Sequence, residues 1–385
     1  NITATLGTLA EASGLTTVTL TDTGAADSVT VGAGFTTALT VNLSEDSTAA
    51  DTVAATAYTG ALTVAGAVTD LDDNAATITG GTGSFGSAFV PLTLKKYNPR
   101  RLVILSRDEM KQWEMQKKYL KDERIKFIIG DVRDFETLSK SLKGSDYIIH
   151  AAATKIVPLA EYNPFECIKT NINGAMNVIN AALDNNITKI VALSTDKASN
   201  PINLYGATKL ASDKLFISAN STSKKKHPIF SIVRYGNVMG SRGSVIPLFI
   251  EQESKGQFTV TDRRMTRFMI SLEQAVESVW DALSDMKGGE IYIKKIPSMN
   301  ILDIASSINN NIKIKYIGIR PGEKIHEQMI SSADSYNTYE FDKYFKIVSS
   351  TLNNKIKEKI ITKGKKVKLG FEYSSEKNKI WMTKD

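Results

Sequence analysis

The sequence predicts an α/β protein: a Rossmann-like doubly wound parallel sheet with a smaller C-terminal α/β domain, preceded by a β-rich low-complexity appendage. Three observations predict it. Short apolar runs recur after residue 100 at intervals that leave room for a helix between successive strands, the pattern of buried parallel sheet. A glycine-rich turn, Thr79-Gly80-Gly81-Thr82-Gly83-Ser84-Phe85-Gly86, stands just before the first of these runs. Residues 1–94 hold no Lys, Arg or His and nine carboxylates, whereas the remainder holds 48 basic and 32 acidic residues. Net charges of −9 and +16 thus meet in one chain of net +7, which marks a compositional boundary.

The elements follow in order. Residues 1–73 are rich in Thr, Ala, Val and Gly, with alternation at 16–20 and 39–43 and Asp/Gly/Asn turns between, so short strands of a repeat or a low-complexity spacer are expected. Residues 74–78 (Asn-Ala-Ala-Thr-Ile) read as a short, poorly apolar first strand. It presents Gly80, Gly83 and Gly86, whose spacing permits a tight turn and lets backbone approach a pyrophosphate at the N-terminus of a helix begun by Ser84 and Phe85. Residues 102–105 form the next strand, ending about twenty residues past the last glycine, where a dinucleotide fold reads the ribose. Arg107 there favours a 2′-phosphate, hence NADP over NAD, with Asp108 beside it as a competing acidic group. A strand at 127–132 carries Asp131, an acceptor for an adenine amino group, and Val132. A strand at 147–150 leads into Ala151, small enough for a cofactor to lie against backbone. A helix over 171–185, a strand at 189–194 ending in Leu193 and Ser194, and a strand at 229–233 complete the alternation.

The chemistry concentrates between 193 and 209. Tyr205 and Lys209, four apart on a predicted helix, put a phenol and an ammonium on one face, and a nearby cation lowers a phenol's pKa. Thr195 supplies a hydroxyl for a substrate oxygen. Asp196 and Lys197 follow directly, an acid for a leaving hydroxyl and a desolvated amine for a carbon-bound proton. A plain alcohol oxidation has no need of that second pair. Oxidation together with elimination points to a sugar dehydratase.

These residues, with Glu-Tyr-Asn-Pro at 161–164, Arg-Tyr-Gly-Asn-Val at 234–238, Gly-Ser-Arg-Gly-Ser-Val-Ile-Pro at 240–247, Met-Thr-Arg-Phe at 265–268 and Arg-Pro-Gly-Glu-Lys at 320–324, resemble the extended short-chain dehydrogenase/reductase superfamily. Within it the likeness is to soluble UDP-N-acetylglucosamine 4,6-dehydratases of the C5-inverting type that begins pseudaminic acid synthesis. The resemblance implies a recycled, tightly bound NADP, UDP-N-acetylglucosamine as substrate, a homo-oligomer and no metal. It implies C4 oxidation with Tyr205 and Lys209 taking the O4 proton, C5 deprotonation by Lys197, O6 protonation by Asp196, and hydride return to C6. It further implies that Lys155 and Asn237 contact cofactor and substrate, and that Thr261, Arg267, Arg320 and Glu323 contact substrate, the two arginines as forked donors to a pyrophosphate. A C5-retaining dehydratase or a 4-epimerase of the same superfamily is the alternative. Residues 1–75 resemble, in composition, the β-repeat segments of bacterial adhesins or surface-layer proteins, which keeps open a surface protein carrying an inactive enzyme-like domain.

The expected division is an appendage at 1–73, an NADP-binding domain with the catalytic residues at 74–240, a partly interleaved substrate-binding domain at 241–345 and a basic C-terminal tail at 346–385. No apolar run reaches membrane-spanning length, and no signal peptide is evident, so a cytoplasmic location without membrane contact is expected. The chain starts with Asn rather than Met, and both ends read as cut points of a longer sequence. The single Cys167 reads as a core thiol, and His150, His227 and His326 are scattered structural residues rather than a metal cluster. The basic runs at 224–226 and 355–368 lack interleaved aromatics, which favours a solvated face over nucleic-acid binding.

Overall fold

The computed structural model describes residues 74–222 and 228–383, together with six strands in the first 65 residues. The turns expected between those strands, the lysine run at 224–226 and His227 lie outside the described residues. The chain divides into two compact units, one of Asn1–Asn74 with Lys95–Arg100 and one of Ala75–Leu94 with Arg101–Asp385.

In the first unit the strands form two parallel three-stranded ladders. Thr3–Thr5, Ser28–Thr30 and Thr52–Ala54 make one, and Thr17–Thr21, Leu39–Ser44 and Leu62–Ala65 the other. In the second ladder Val18 pairs with Val41, Leu20 with Leu43, Leu39 with Leu62 and Val41 with Val64. Thr17 pairs with Thr40 and Leu39 with Leu62, an advance of 23 residues in both cases. The repeat expected from composition therefore has the backbone pairing of a parallel β-solenoid.

In the second unit the main sheet runs Ile125–Ile129, Arg101–Ser106, Ala75–Thr79, Tyr147–His150, Lys189–Thr195, Ile229–Tyr235 and Glu290–Lys294, all parallel. In chain order this is the doubly wound arrangement, with the reversal between Ala75–Thr79 and Tyr147–His150. Tyr344–Val348, Thr338–Glu340 and Lys365–Lys366 continue the sheet antiparallel, giving ten strands. Residues after 345 are built into this unit: Val348 and Ile360 are buried with Tyr339, and the Tyr373 ring packs at a tilt against Phe268 and Phe345. The basic character of that stretch sits on the exposed face of helix Asn354–Ile361.

The poorly apolar first strand lies inside the sheet, between Arg101–Ser106 and Tyr147–His150. Ala75, Ala76, Thr77, Ile78 and Thr79 are all fully buried. Its threonines are tolerated because each hydroxyl is matched, Thr77 Oγ1 to Ser145 Oγ at 2.7 Å and Thr79 Oγ1 to His150 Nδ1 at 2.8 Å. Two expected elements end differently. The strand expected over 127–132 stops at Ile129, because Gly130-Asp131 turns the chain and Asp131 accepts from the backbone N–H of Arg133. The helix expected over 171–185 opens with a π-helical turn, Lys169–Asn173, before the α-helix Gly174–Asp184. That bulge places Asn171 inward, where it binds both backbone groups of Thr154.

A second core lies in the C-terminal part, where Phe249, Phe258, Met265, Met269, Met299 and Ile304 cluster. Segments of this part return to the strand ends of the main sheet. Arg242 binds the glycine turn, and Asn203 donates to the carbonyl of Gly322 at 2.7 Å.

Candidate active site

The glycine turn is shaped for a ligand. Gly80 adopts φ +68°, and a Cβ there would stand 2.8 Å from the backbone of Ala152. A Cβ on Gly86 would lie 2.1 Å from the carbonyl oxygen of Gly81, so this glycine lets helix Ser84–Lys96 seat on the strand. Gly83 closes the turn by donating to Gly80 O at 2.9 Å. A Cβ on Gly83 would meet nothing but that same oxygen, so this glycine leaves its other side open. Ser84 Oγ accepts from Arg242 N at 3.1 Å, and Phe85 stacks on Phe89 beneath the turn. Backbone N–H groups at a helix start, glycines that admit close approach and the facing Ala151-Ala152 backbone fit a dinucleotide pyrophosphate.

At the next strand end Arg107 is mostly exposed and lies 3.9 Å from Asp131. Asp108 caps helix Glu109–Gln116, accepting from Lys111 N at 3.0 Å, so its carboxylate serves the helix. Asp131 is held by the fork of Arg133 at 2.9 and 2.7 Å. Its pKa is lowered, because Arg133 and Arg107 outweigh the upward push of burial. Val132 is buried in the core against Gly174. Lys155 follows the Ala151–Thr154 loop that Asn171 pins. Its ammonium pKa is lowered by desolvation and by repulsion from Arg242 and Lys197.

The five residues expected to carry catalysis lie on three consecutive elements. Strand Lys189–Thr195 delivers Leu193, Ser194 and Thr195 to its C-terminal end, and a 3-10 turn, Asp196–Ala198, follows. Thr195 Oγ1 donates to Asp196 Oδ1 at 2.9 Å, and Lys197 Nζ donates to the same oxygen at 3.0 Å. Helix Leu204–Thr222 brings Tyr205 beside Thr195 and buries Lys209. Thr195, Asp196, Lys197, Tyr205 and Lys209 therefore form one cluster.

Its electrostatics differ from the sequence expectation in two places. The Tyr205 phenol is not brought toward neutrality by Lys209; burial pushes it up to about 12, against a lowering influence of Lys197 and of the Thr195 hydrogen bond. Lys197 is not a neutral amine either. Burial alone would lower its pKa, but Asp196 and Glu327 together raise it. Asp196, fully buried, has its carboxyl pushed up by desolvation despite Lys197. Glu327, equally buried, is pulled down by Lys197, Arg267 and Lys324 against desolvation. Two carboxylates beside one lysine are thus driven in opposite directions, the arrangement that separates an acid from a counter-ion.

The residues expected to hold substrate are placed as follows. Asn237 begins a short strand, Asn237–Val238, beside Met269. Thr261 donates to Met265 Sδ at 2.9 Å. Arg267 is buried with its fork spent on backbone: Nη1 donates to Thr266 O and Ile325 O at 2.8 Å, and Nη2 to Lys324 O at 3.0 Å. In this structure it anchors the 324–327 segment instead of presenting a free fork. Arg320 and Glu323 bind each other at 2.9 Å.

Three residues of the site escaped the sequence reading. Asp213 lies behind Lys209, accepting from Ser194 Oγ at 2.7 Å and pairing with Arg234 at 3.1 Å. The four-residue step from Tyr205 to Lys209 continued to Asp213 was the signal for it. Arg242 donates to Thr82 O across the glycine turn. Glu327 reaches Lys197 at 3.3 Å, and nothing local in the sequence marks it. His150, by contrast, is buried and neutral, its pKa depressed to about 3 by desolvation and by Lys209. Among the described residues no group of three His, Cys, Asp or Glu is placed to hold a metal, and no helix is long and apolar enough to cross a membrane.

A UDP-N-acetylglucosamine 4,6-dehydratase (inverting) from Campylobacter jejuni subsp. jejuni serotype O:2 is 53% identical over 311 residues, 79% of this chain and 93% of that protein. A UDP-glucose 4-epimerase from Rickettsia prowazekii is 40% identical over 80% of this chain and 92% of its own. The X-ray structure of Pen from Bacillus thuringiensis superposes with a TM-score of 0.74 at 36% identity, covering 82% of this chain and 95% of that one. The family described as polysaccharide biosynthesis protein matches residues 76–349, and the chain belongs to it.

Proposed function

We propose that the protein dehydrates UDP-N-acetylglucosamine to a UDP-2-acetamido-2,6-dideoxy-4-hexulose with inversion at C5, the first step of a pseudaminic acid type of sugar synthesis. The observation that carries this reading is the buried Asp196–Lys197 pair at 3.0 Å, set directly beside Thr195 and Tyr205. An acid and a base for elimination thus adjoin the groups for alcohol oxidation. The C. jejuni relative named for this reaction supports it.

Gly80, Gly83, Ser84, Phe85 and Gly86 hold a nicotinamide dinucleotide in this reading, with Ala151, Lys155, Leu193 and Ser194 along its path. Arg107, exposed at the strand end, favours NADP. A dinucleotide held there would supply the redox chemistry, hydride transfer at C4 and at C6. Thr195 orients O4, Tyr205 removes its proton, and buried Lys209 supports the phenolate. The resulting 4-keto group acidifies C5, whose proton passes to Lys197, and Asp196 protonates O6 as water leaves. Asn237, Thr261, Arg320 and Glu323 border the substrate. A homo-oligomer belongs to the same reading. Exposed apolar side chains cluster on adjacent helices at Leu159, Tyr162 and Phe165, the last two 84% and 76% exposed. So does a cytoplasmic location, which suits a chain whose single cysteine is buried and free.

The second reading, a 4-epimerase, is favoured by the R. prowazekii relative. Epimerisation has no use for the Asp196–Lys197 pair. Incubating the purified protein with UDP-N-acetylglucosamine and following the sugar by NMR decides between them. A new C6 methyl signal with loss of H4 supports dehydration; an H4 turned from axial to equatorial with C6 unchanged supports epimerisation.

A further inference from the structure

We infer that Glu327 is a positioning residue for the elimination step, a buried carboxylate that fixes Lys197 and stabilises the ammonium Lys197 becomes when it takes the C5 proton. The inference rests on the dehydratase reading above.

The geometry is specific. Lys197 Nζ lies 3.0 Å from Asp196 Oδ1 and 3.3 Å from Glu327 Oε1, and the two carboxylates are 1% and 3% exposed. Arg267 approaches Glu327 no closer than 3.9 Å, and its fork is already spent on carbonyls, so the nearest cation to Glu327 is Lys197. The Glu327 backbone is clamped by Ser375, which accepts from Glu327 N at 2.9 Å and donates its own N–H to Glu327 O at 2.8 Å. Ser375 is tied in turn to Thr266 at 2.7 Å. The second oxygen, Oε2, is buried with no hydrogen-bond partner in the protein. A buried carboxylate left half unsatisfied is costly, and such groups are kept where their charge is used.

The proton ledger explains the use. Before elimination Lys197 must be the free amine and Asp196 the acid, which is the resting ion pair with one proton moved across 3.0 Å. In the step the C5–H bond breaks and its proton goes to Lys197, while its electron pair forms the C5–C6 double bond. The C6–O6 bond breaks, and O6 leaves as water with the proton of Asp196. Lys197 ends as an ammonium and Asp196 as a carboxylate. Glu327 stays ionised throughout. It gives the growing positive charge on Lys197 a fixed partner from the start of proton transfer, when Asp196 is still neutral. One carboxylate cannot serve both as that partner and as the proton donor to O6, and the structure provides two.

The test is Glu327→Gln in the full chain, with Glu327→Asp as the charge-conserving companion. The groups facing Lys197 are Asp196, Glu327, Arg267, Tyr205, Lys155 and Lys324. Glu327→Gln removes one negative charge from this set, so both limbs of the kcat–pH profile should move to lower pH by about one unit. kcat should fall about tenfold or more with KM changed by less than about threefold, and solvent deuterium should enter C5 correspondingly slowly. Glu327→Asp should keep the limbs near their wild-type positions. A Glu327→Gln variant with wild-type kcat and an unmoved profile overturns the inference while leaving the dehydratase reading intact. Failure of the wild-type protein to dehydrate the substrate overturns that reading instead. Should Glu327→Gln not fold, carboxyl NMR of the wild-type protein labelled in glutamate decides: Glu327 ionised across neutral pH is expected, and Glu327 protonated there refutes the role.

Discussion

Asp213→Asn should destabilise the enzyme unit and weaken the support of Lys209 together. Asp213 and Arg234 are each 3% exposed and meet at 3.1 Å, and Asp213 also accepts from Ser194 at 2.7 Å. Removing one partner of a buried ion pair costs roughly 3–5 kcal/mol, because the other charge is stranded. Two features of the site place the loss near the lower end. Asparagine keeps an amide oxygen for Ser194, and Arg234 retains the Met329 carbonyl at 2.9 Å and Asp334 at 4.0 Å. A loss of about 3 kcal/mol lowers the melting temperature of a unit this size by roughly 5 °C. Denaturant unfolding of wild type and variant measures it directly, and the double replacement Asp213→Leu with Arg234→Met should recover most of the loss. The same substitution removes the group that opposes desolvation at Lys209, so Lys209 should lose positive charge at lower pH than in wild type. A variant within about 1 kcal/mol of wild type would show that the pair contributes no net stability, and the reasoning from burial would fail.

Lys197→Ala should leave dinucleotide binding in place and abolish C5 exchange with deuterated solvent; turnover at the wild-type rate would remove Lys197 from the reaction. Arg107→Ala should weaken NADP binding by roughly 1.5–3 kcal/mol, the value of a charge-assisted hydrogen bond, with NAD binding little changed, and equal losses for both in calorimetry would refute the 2′-phosphate role. His150, whose pKa falls to about 3 in the folded protein, binds its proton only when the chain unfolds. Its contribution is therefore present above about pH 6.5 and is lost as pH falls toward about 3, by up to roughly 1.4 kcal/mol per pH unit. Unfolding free energies measured across that range should carry this slope, and His150→Gln should remove it.

Much of the molecule was legible because its determinants are local. The alternation of apolar runs fixed the strands, since a buried parallel strand must be apolar on both faces. The glycines of 80–86 marked the turn, because a Cβ at Gly80 or Gly86 has nowhere to go. Thr195, Asp196 and Lys197 are consecutive, and Tyr205 and Lys209 share one helix face, so a short stretch of chain carries the cluster. The first strand reads as short and poorly apolar, yet it is wholly buried inside the sheet. Its threonines are acceptable there because Ser145 and His150, far along the chain, supply their hydrogen bonds.

What needed the tertiary structure was charge. The sequence by itself determined which ionisable groups stand near the reaction centre along the chain, but a pKa depends on burial and on neighbours that folding brings from elsewhere. Read alone, Tyr205 and Lys209 suggested a phenol near neutrality; packed, the phenol is desolvated and pushed up to about 12. Read alone, Lys197 was a desolvated base and Arg267 a pyrophosphate donor. Folding returns the 320–327 segment to the strand ends, where Arg267 binds its carbonyls and Glu327 meets Lys197. Sequence spacing can place groups on one helix or one turn, and only the packing of distant segments decides which charge each of them carries.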